Sequence, residues 1–165
     1  MPHISKSIDV NVPVQAAYNQ WTQFEDFPRC MEGVKEVRQS DPKRLLWRAE
    51  IGGKEVTWTA EITAQDPDRL IAWRSTSGAR NEGTVAFEAV SPCRTRITLH
   101  LDYDPEGPLQ STGSMLGAVT ARVDGDLQRF QEFIEARGAP TGAWRGEIVG
   151  DVVHEPGAPR PEVAP

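Results

Sequence analysis

Residues 43–65, KRLLWRAEIGGKEVTWTAEITAQ, decide how this chain folds. Leu45, Trp47, Ala49 and Ile51 fall on one face of an extended segment, with Arg48 and Glu50 on the other. After Gly52-Gly53 the pattern resumes: Val56, Trp58, Ala60 and Ile62 alternate with Thr57, Thr59, Glu61 and Thr63. A period of two is that of a strand with one face buried, and paired glycines suit a tight turn, so the stretch reads as an antiparallel hairpin. Its inner face is apolar and carries two tryptophans.

Working outward, Asp41-Pro42, Asp66-Pro67-Asp68, the loop Gly78–Gly83 and Ser91-Pro92 punctuate further strand candidates near 34–39, 69–77, 84–90 and 94–103. In the last of these Ile97, Leu99, Leu101 and Tyr103 share a face, while Arg96, Thr98, His100 and Asp102 take the other. The strand near 69–77 permits two assignments: Leu70, Ala72 and Arg74 inward, or Ile71, Trp73 and Ser75 inward. At the N-terminus Ile4, Ile8, Val10 and Val12 alternate with polar residues, Lys6 being the one mismatch. Pro13 then opens a short helix to about residue 22, and a second helical turn follows near 24–31, with Asp26 and Pro28 at its start.

Beyond Asp104-Pro105-Glu106-Gly107-Pro108, Leu116, Val119, Val123, Leu127, Phe130 and Ile134 recur at intervals of three and four up to Arg137-Gly138. That spacing predicts one long amphipathic helix, with Arg122, Asp124, Gln128, Glu132 and Glu135 on its outer face. The fold class is therefore α+β: a seven-stranded curved antiparallel sheet wrapped around a long C-terminal helix, with two short helices after the first strand. The domain spans residues 1–137. Residues 138–165 are rich in Pro and Gly and read as a tail, mostly disordered or loosely docked; the alternative is that AWRGEIVGDVV (143–153) hooks onto the domain or onto a partner protein.

Bulk properties restrict function. A net charge of -6 with a pI near 5.1 disfavours nucleic acid, because phosphate backbones are held by clustered Lys and Arg. No run approaches the roughly 18 apolar residues of a membrane span, so stable membrane insertion is not expected. MPHISKSIDV lacks the apolar core and cleavage site of a signal peptide, which places the protein in the cytoplasm, as a monomer or homodimer. Cys30 and Cys93 have no metal-ligand spacing and read as free thiols. There is no phosphate loop, HExxH or serine elbow, and His3, His100 and His154 read as surface residues. No metal or cofactor is expected.

A curved sheet closed by one helix cannot fill its concave side from a single helical stripe, so an apolar cavity is expected there. Gly107, Gly113 and Gly117 are the expected roof. Trp47, Trp58, Tyr103, Met115 and Val119 are the candidate lining residues, with Arg74 if its side of the strand faces inward.

The segments FEDFPRCMEGVKEVRQ (24–39), LLWRAEIGGKEVTWTAEITAQDPDRLIAWRSTSG (45–78) and TRITLHLDYDPEG (95–107) resemble bacterial polyketide cyclase/dehydrase proteins of the START-like, helix-grip superfamily, a group that includes coenzyme-Q-binding proteins. The likeness covers about residues 3–137. It implies an inner cavity for a small hydrophobic molecule, used for carriage of lipid or quinone, for sensing, or for cyclising and dehydrating a polyketide chain. The first expectation is thus a binding protein for a lipid, quinone or polyketide-like ligand. The alternative is a cyclase, aromatase or dehydratase in which Arg74 binds a carbonyl or enolate oxygen and Tyr103 donates a proton.

Overall fold

The structure, a computed structural model, describes residues 3–31, 33–104 and 113–156. Strand β1 (His3–Val10) leads into α1 (Val14–Trp21), a 3-10 turn (Phe24–Asp26) and α2 (Phe27–Cys30). A meander follows: β2 (Val34–Asp41), β3 (Arg44–Ile51), β4 (Lys54–Asp66), β5 (Leu70–Gly78), β6 (Arg80–Ser91) and β7 (Arg94–Asp104). Helix α3 (Gly113–Arg137) crosses the concave face, and a short hairpin, β8 (Glu147–Val149) and β9 (Val152–His154), ends the described chain. The sheet order is β1-β7-β6-β5-β4-β3-β2, antiparallel throughout, with the hairpin added at β4. No helix of the described residues is long and apolar enough to cross a membrane.

The β3–β4 turn behaves as its sequence requires. Gly52 and Gly53 both have positive φ, 59° and 81°, the conformation that matches a two-residue turn to the twist of its strands. The turn fixes Ile51 opposite Lys54 and brings Trp47 opposite Trp58, whose rings stack with centroids 5.8 Å apart and planes 5° from parallel. On β5 the structure selects one of the two assignments: Ile71 is buried and Trp73 faces in, while Arg74 is exposed. The expected loop Gly78–Gly83 is largely strand, because β6 begins at Arg80. Gly83 pairs with Trp73, and its missing side chain gives the indole room: a Cβ there would press on Trp73 and on the His100 carbonyl.

Helix α3 presents Val119, Leu127, Phe130 and Ile134, all buried, to the sheet. Gly138 ends it in the left-handed conformation, φ 74°, with its N–H donating to the Ile134 carbonyl over 2.9 Å. At the α1 end the interior is filled by aromatic rings. Trp21 packs on Phe130 with centroids 4.8 Å apart, and Phe24 and Phe27 meet edge to face. Beside them Cys30 is buried; desolvation first, then the nearby Asp26 and Asp126 carboxylates, push its thiol up to about 12.

The sheet has nine strands where seven are expected, and the difference lies past Gly138. Of the two readings of this stretch, a mostly disordered tail or a hook docked on the domain, residues 139–156 follow the second and run back over the domain. The reason is hydrogen-bond demand in α1. Gln20 is fully buried, and its amide is satisfied from the hook: the Thr141 N–H donates to Oε1 over 2.8 Å, and Nε2 donates to Thr141 Oγ1 over 3.1 Å. The Trp144 N–H donates to the buried Thr22 Oγ1 over 3.0 Å. Arg145 grips Asp68 with two bonds of 2.9 and 2.8 Å and lies over the Tyr18 ring. The hairpin then pairs with Ala64 and Gln65, on the edge of β4 that β3 leaves free beyond Glu61, and buries Ile148 in the main core. The buried Lys43 ammonium donates to the Gly150 carbonyl over 2.6 Å.

This packing sets three expectations for the protein in solution. Ile148→Ala should lower the stability of the whole domain by about 2–4 kcal/mol in urea titrations; an unchanged midpoint would show the hook to be detached in solution. Alkylation of the native protein near pH 9 should modify Cys93, which is exposed, and reach Cys30 only after denaturation. Because burial raises the Cys30 pKa, the unfolded chain releases that proton first, so stability should fall as pH rises from about 9 toward 12.

Candidate functional site

Between the concave face of the sheet and the middle of α3 lies a two-lobed cavity. The inner lobe, about 140 Å³, abuts the helical cap through Trp21, Phe24, Phe27 and Met31, with Ile62 and Ile71 from the sheet. The outer lobe, about 160 Å³, is bounded by Ile51 and Val56 at the β3–β4 turn end, by Trp58 and Tyr103 from the strands, and by Val119 from α3. Trp47, Trp73, Leu101, Val123 and Asp126 belong to the walls of both. Together the lobes approach the lower end of the ~300–1,000 Å³ usual for small-molecule sites.

The wall is apolar because inward strand positions carry the period-two residues of β3, β4, β5 and β7, and one helix leaves the space between them open. The stacked pair Trp47 and Trp58 forms one side, and Phe27 continues the aromatic row, 5.6 Å from Trp47 between centroids. Trp73, on the neighbouring strand β5, is held by its indole N–H, which donates to Asn81 Oδ1 over 2.9 Å. Asn81 is itself buried and fixed: its backbone N–H donates to Ser75 Oγ over 3.0 Å, and its Nδ2 donates to the Ala79 carbonyl over 3.1 Å. This polar lock orients one tryptophan of the wall.

Asp126 is the acidic group of the wall, with Arg122 beside it in the outer lobe. It is buried, accepts a hydrogen bond from the Gly33 N–H over 3.2 Å, and has Arg122 Nη1 3.8 Å from its carboxylate. Gly33 is required for this arrangement, since a Cβ there would fall inside the Arg122 side chain. The carboxylate thus ties α3 to the start of β2 at the point where the two lobes meet.

The structure brings Trp47, Trp58, Tyr103 and Val119 together around the outer lobe. Met115 lies on α3, and its side chain falls outside the described residues, as does Gly107. Arg74 does not join them. Its side chain is 63% exposed and pairs across the outer face with Glu61 Oε1 at 3.3 Å, because the strand period that turns Trp73 inward turns Arg74 outward. Gly117 is not a roof either: it is exposed, with open space where a Cβ would stand. Sequence reasoning left Trp73 open as part of one of two inward assignments and missed Asn81 and Asp126. Asp126 was visible in principle, three residues after Val123 and four before Phe130, on the apolar stripe instead of the polar face. His3 and His100 stack on one another at the surface, and His3 pairs with Asp102 at 2.7 Å. Among the described residues no group of His, Cys, Asp and Glu could hold a metal ion.

Known proteins agree with this architecture. The sequence profile of the family described as polyketide cyclase / dehydrase and lipid transport matches residues 10–132. An uncharacterised 17.2 kDa protein of Streptomyces lincolnensis is 41% identical over 150 residues, which cover 90% of this chain and the whole of that one. Among solved structures, the Zhui aromatase/cyclase from Streptomyces sp. R1128 superposes with a TM-score of 0.71 at 17% identity, covering 86% of this chain and 98% of that one. A START superfamily protein from Mycobacterium smegmatis gives 0.64 at 18% identity, covering 82% and 95%. The profile match carries the family and the superpositions carry the fold: this chain belongs to the polyketide cyclase/dehydrase and lipid transport family.

Proposed function

We propose that the protein binds a small hydrophobic molecule, a lipid, quinone or polyketide-like compound, in the two-lobed cavity, as a carrier or sensor. The observation that supports this is the wall itself. Its surface is largely aromatic and aliphatic, from Trp21 on α1 to Tyr103 on β7, and the polar side chains Asn81, Asp126 and Arg122 already have partners within the protein. Transfer of apolar ligand surface out of water, at about 25 cal/mol per Å², then supplies the affinity. Bonded wall groups do not require a charged ligand.

A cyclase, aromatase or dehydratase role is the second reading. The mechanism that pairs Arg74 with Tyr103 is withdrawn, because Arg74 stands on the outer face. What favours catalysis now is Asp126, a carboxylate in the wall of both lobes that a bound enolisable ligand would meet.

Val123 belongs to both lobes, so Val123→Trp should fill the junction. Titration with a fluorescent naphthalene probe should show at least a tenfold loss of affinity for this variant, at unchanged circular dichroism, while Arg74→Ala stays within about twofold. Equal binding by Val123→Trp and wild type would remove the cavity as the site. Asp126→Asn separates the two readings: a carrier keeps binding and has no turnover to lose, whereas a cyclase keeps binding and loses conversion of a poly-β-ketone probe.

A further inference from the structure

The inner lobe is closed on one side by a short segment with little to hold it. The 3-10 turn, α2 and the residue after them place Phe24, Phe27 and Met31 in the wall of that lobe. These side chains are 5%, 2% and 7% exposed, so the lobe is shut along this side. Helices of three and four residues have almost no stability of their own, and neither has a side-chain hydrogen bond at its N-cap. Besides the aromatic packing, two carboxylates tie the segment to the rest of the domain. Glu25 Oε2 accepts from the Gln39 N–H over 2.8 Å, on the adjacent strand β2. Asp26 Oδ2 accepts from the Thr141 hydroxyl over 2.6 Å, across 115 positions of sequence, from the hook.

Thr141 is placed as a clasp. Its N–H donates to Gln20 Oε1 over 2.8 Å and its Oγ1 accepts from Gln20 Nε2 over 3.1 Å, so a fully buried amide on α1 sets the position of the hydroxyl. The single proton of that hydroxyl then goes to Asp26. Further along, the hook is anchored by the buried Ile148 and by strand pairing to β4. One hydroxyl proton thus joins a firmly anchored element to a weakly held one. A bond of this kind to a carboxylate is strong while dry, and water can replace it, which is what reversible closure requires. We propose that Phe24–Met31 is a lid over the inner lobe, clasped shut by Thr141, and that its opening is the route by which a ligand reaches that lobe. This rests on the cavity being the binding site and adds a gate to it. The family profile matches residues 10–132, so the clasp lies outside the matched core.

Two variants bracket the clasp. Thr141→Val keeps the shape and removes the hydroxyl, whereas Thr141→Ser keeps the hydroxyl; the first should free the lid and the second should behave as wild type. In a Cys93→Ser background Cys30, buried on the lid and shielded in the wild type, reports opening through its rate of alkylation. Thr141→Val should raise that rate about tenfold. The rate should depend little on urea below the unfolding transition, because a local opening exposes little surface. Stopped-flow mixing with N-phenyl-1-naphthylamine, a neutral fluorescent probe, should show association and dissociation both faster by about threefold to tenfold, with Kd within about twofold. A clasp present in free and loaded protein alike changes the barrier and leaves the balance. No gain in Cys30 labelling, or a gain that carries the full urea slope of unfolding, would reduce Thr141 to a stabiliser of the fold and overturn the lid. Faster labelling with unchanged probe rates, or with faster dissociation alone, would overturn the gate while leaving the cavity as a binding site. If the wild type binds no probe, the cavity reading falls and the gate with it.

Discussion

The stacked pair of Trp47 and Trp58 is the contact on which the rest of the molecule depends. Side chains on a strand alternate with a period of two, so pairing these residues across β3 and β4 fixes the facing of every other residue in the hairpin. A slip of one residue would carry Leu45, Ala49, Val56 and Ile62 to the solvent face and bring Arg48, Glu50 and Glu61 inward. Gly52 and Gly53 enforce the register from one end, through a turn few other residue pairs can form. The same contact that specifies the sheet also makes the aromatic side of the cavity. Fold specification and ligand surface are therefore not separable here.

With the sheet fixed, the cavity follows from geometry. One helix offers one stripe, and α3 spends the C-terminal half of that stripe, Leu127, Phe130 and Ile134, on the aromatic cap and the β1 side of the sheet. At the other half the stripe narrows to Val119 and Val123, short side chains facing a sheet that is widely curved. Large side chains on the sheet could close the gap, and the tryptophans partly do so. They stack along the wall instead of reaching across it, since a flat ring anchored to its neighbour or to Asn81 cannot collapse into the void.

The sequence was legible wherever one face of one element decided the outcome. The period-two runs of β3, β4 and β7, the three-and-four spacing of α3 and the turn glycines all read correctly because each depends on local sterics and burial. It failed where a residue's environment is supplied by a distant segment. Arg74 or Trp73 could not be chosen from the strand alone; the choice depends on Gly83 and Asn81 across the sheet, which make room and an acceptor for the indole. The stretch after Gly138 has the composition of an unstructured tail, and nothing local contradicts that. Its order comes from Gln20 and Thr22, polar residues buried more than a hundred positions upstream that need partners. Asp126 lies between these cases. Its place on the apolar stripe is written in the sequence, but its purpose there is visible only with Gly33 and Arg122 beside it.

Those failures share a cause that bears on function. Each missed group, whether Asn81, Asp126, Gln20 or Thr22, is a buried polar side chain whose partner comes from another element of the chain. Such atoms are the expensive ones, because an unpaired donor or acceptor in the interior costs more than a paired one gains. The fold satisfies them at the α1–hook junction and at the Gly33 contact through elements far apart in sequence, and at the Asn81 lock across the neighbouring strands β5 and β6. Among the described residues, Tyr18 OH, Gln65 Nε2 and Trp58 Nε1 stand outside that pattern. The cavity wall keeps the rule where its polar groups are concerned: Asn81 and Asp126 are bonded within the protein, so what the wall turns toward the open space is apolar surface, which favours hydrophobic molecules as a class without telling one from another.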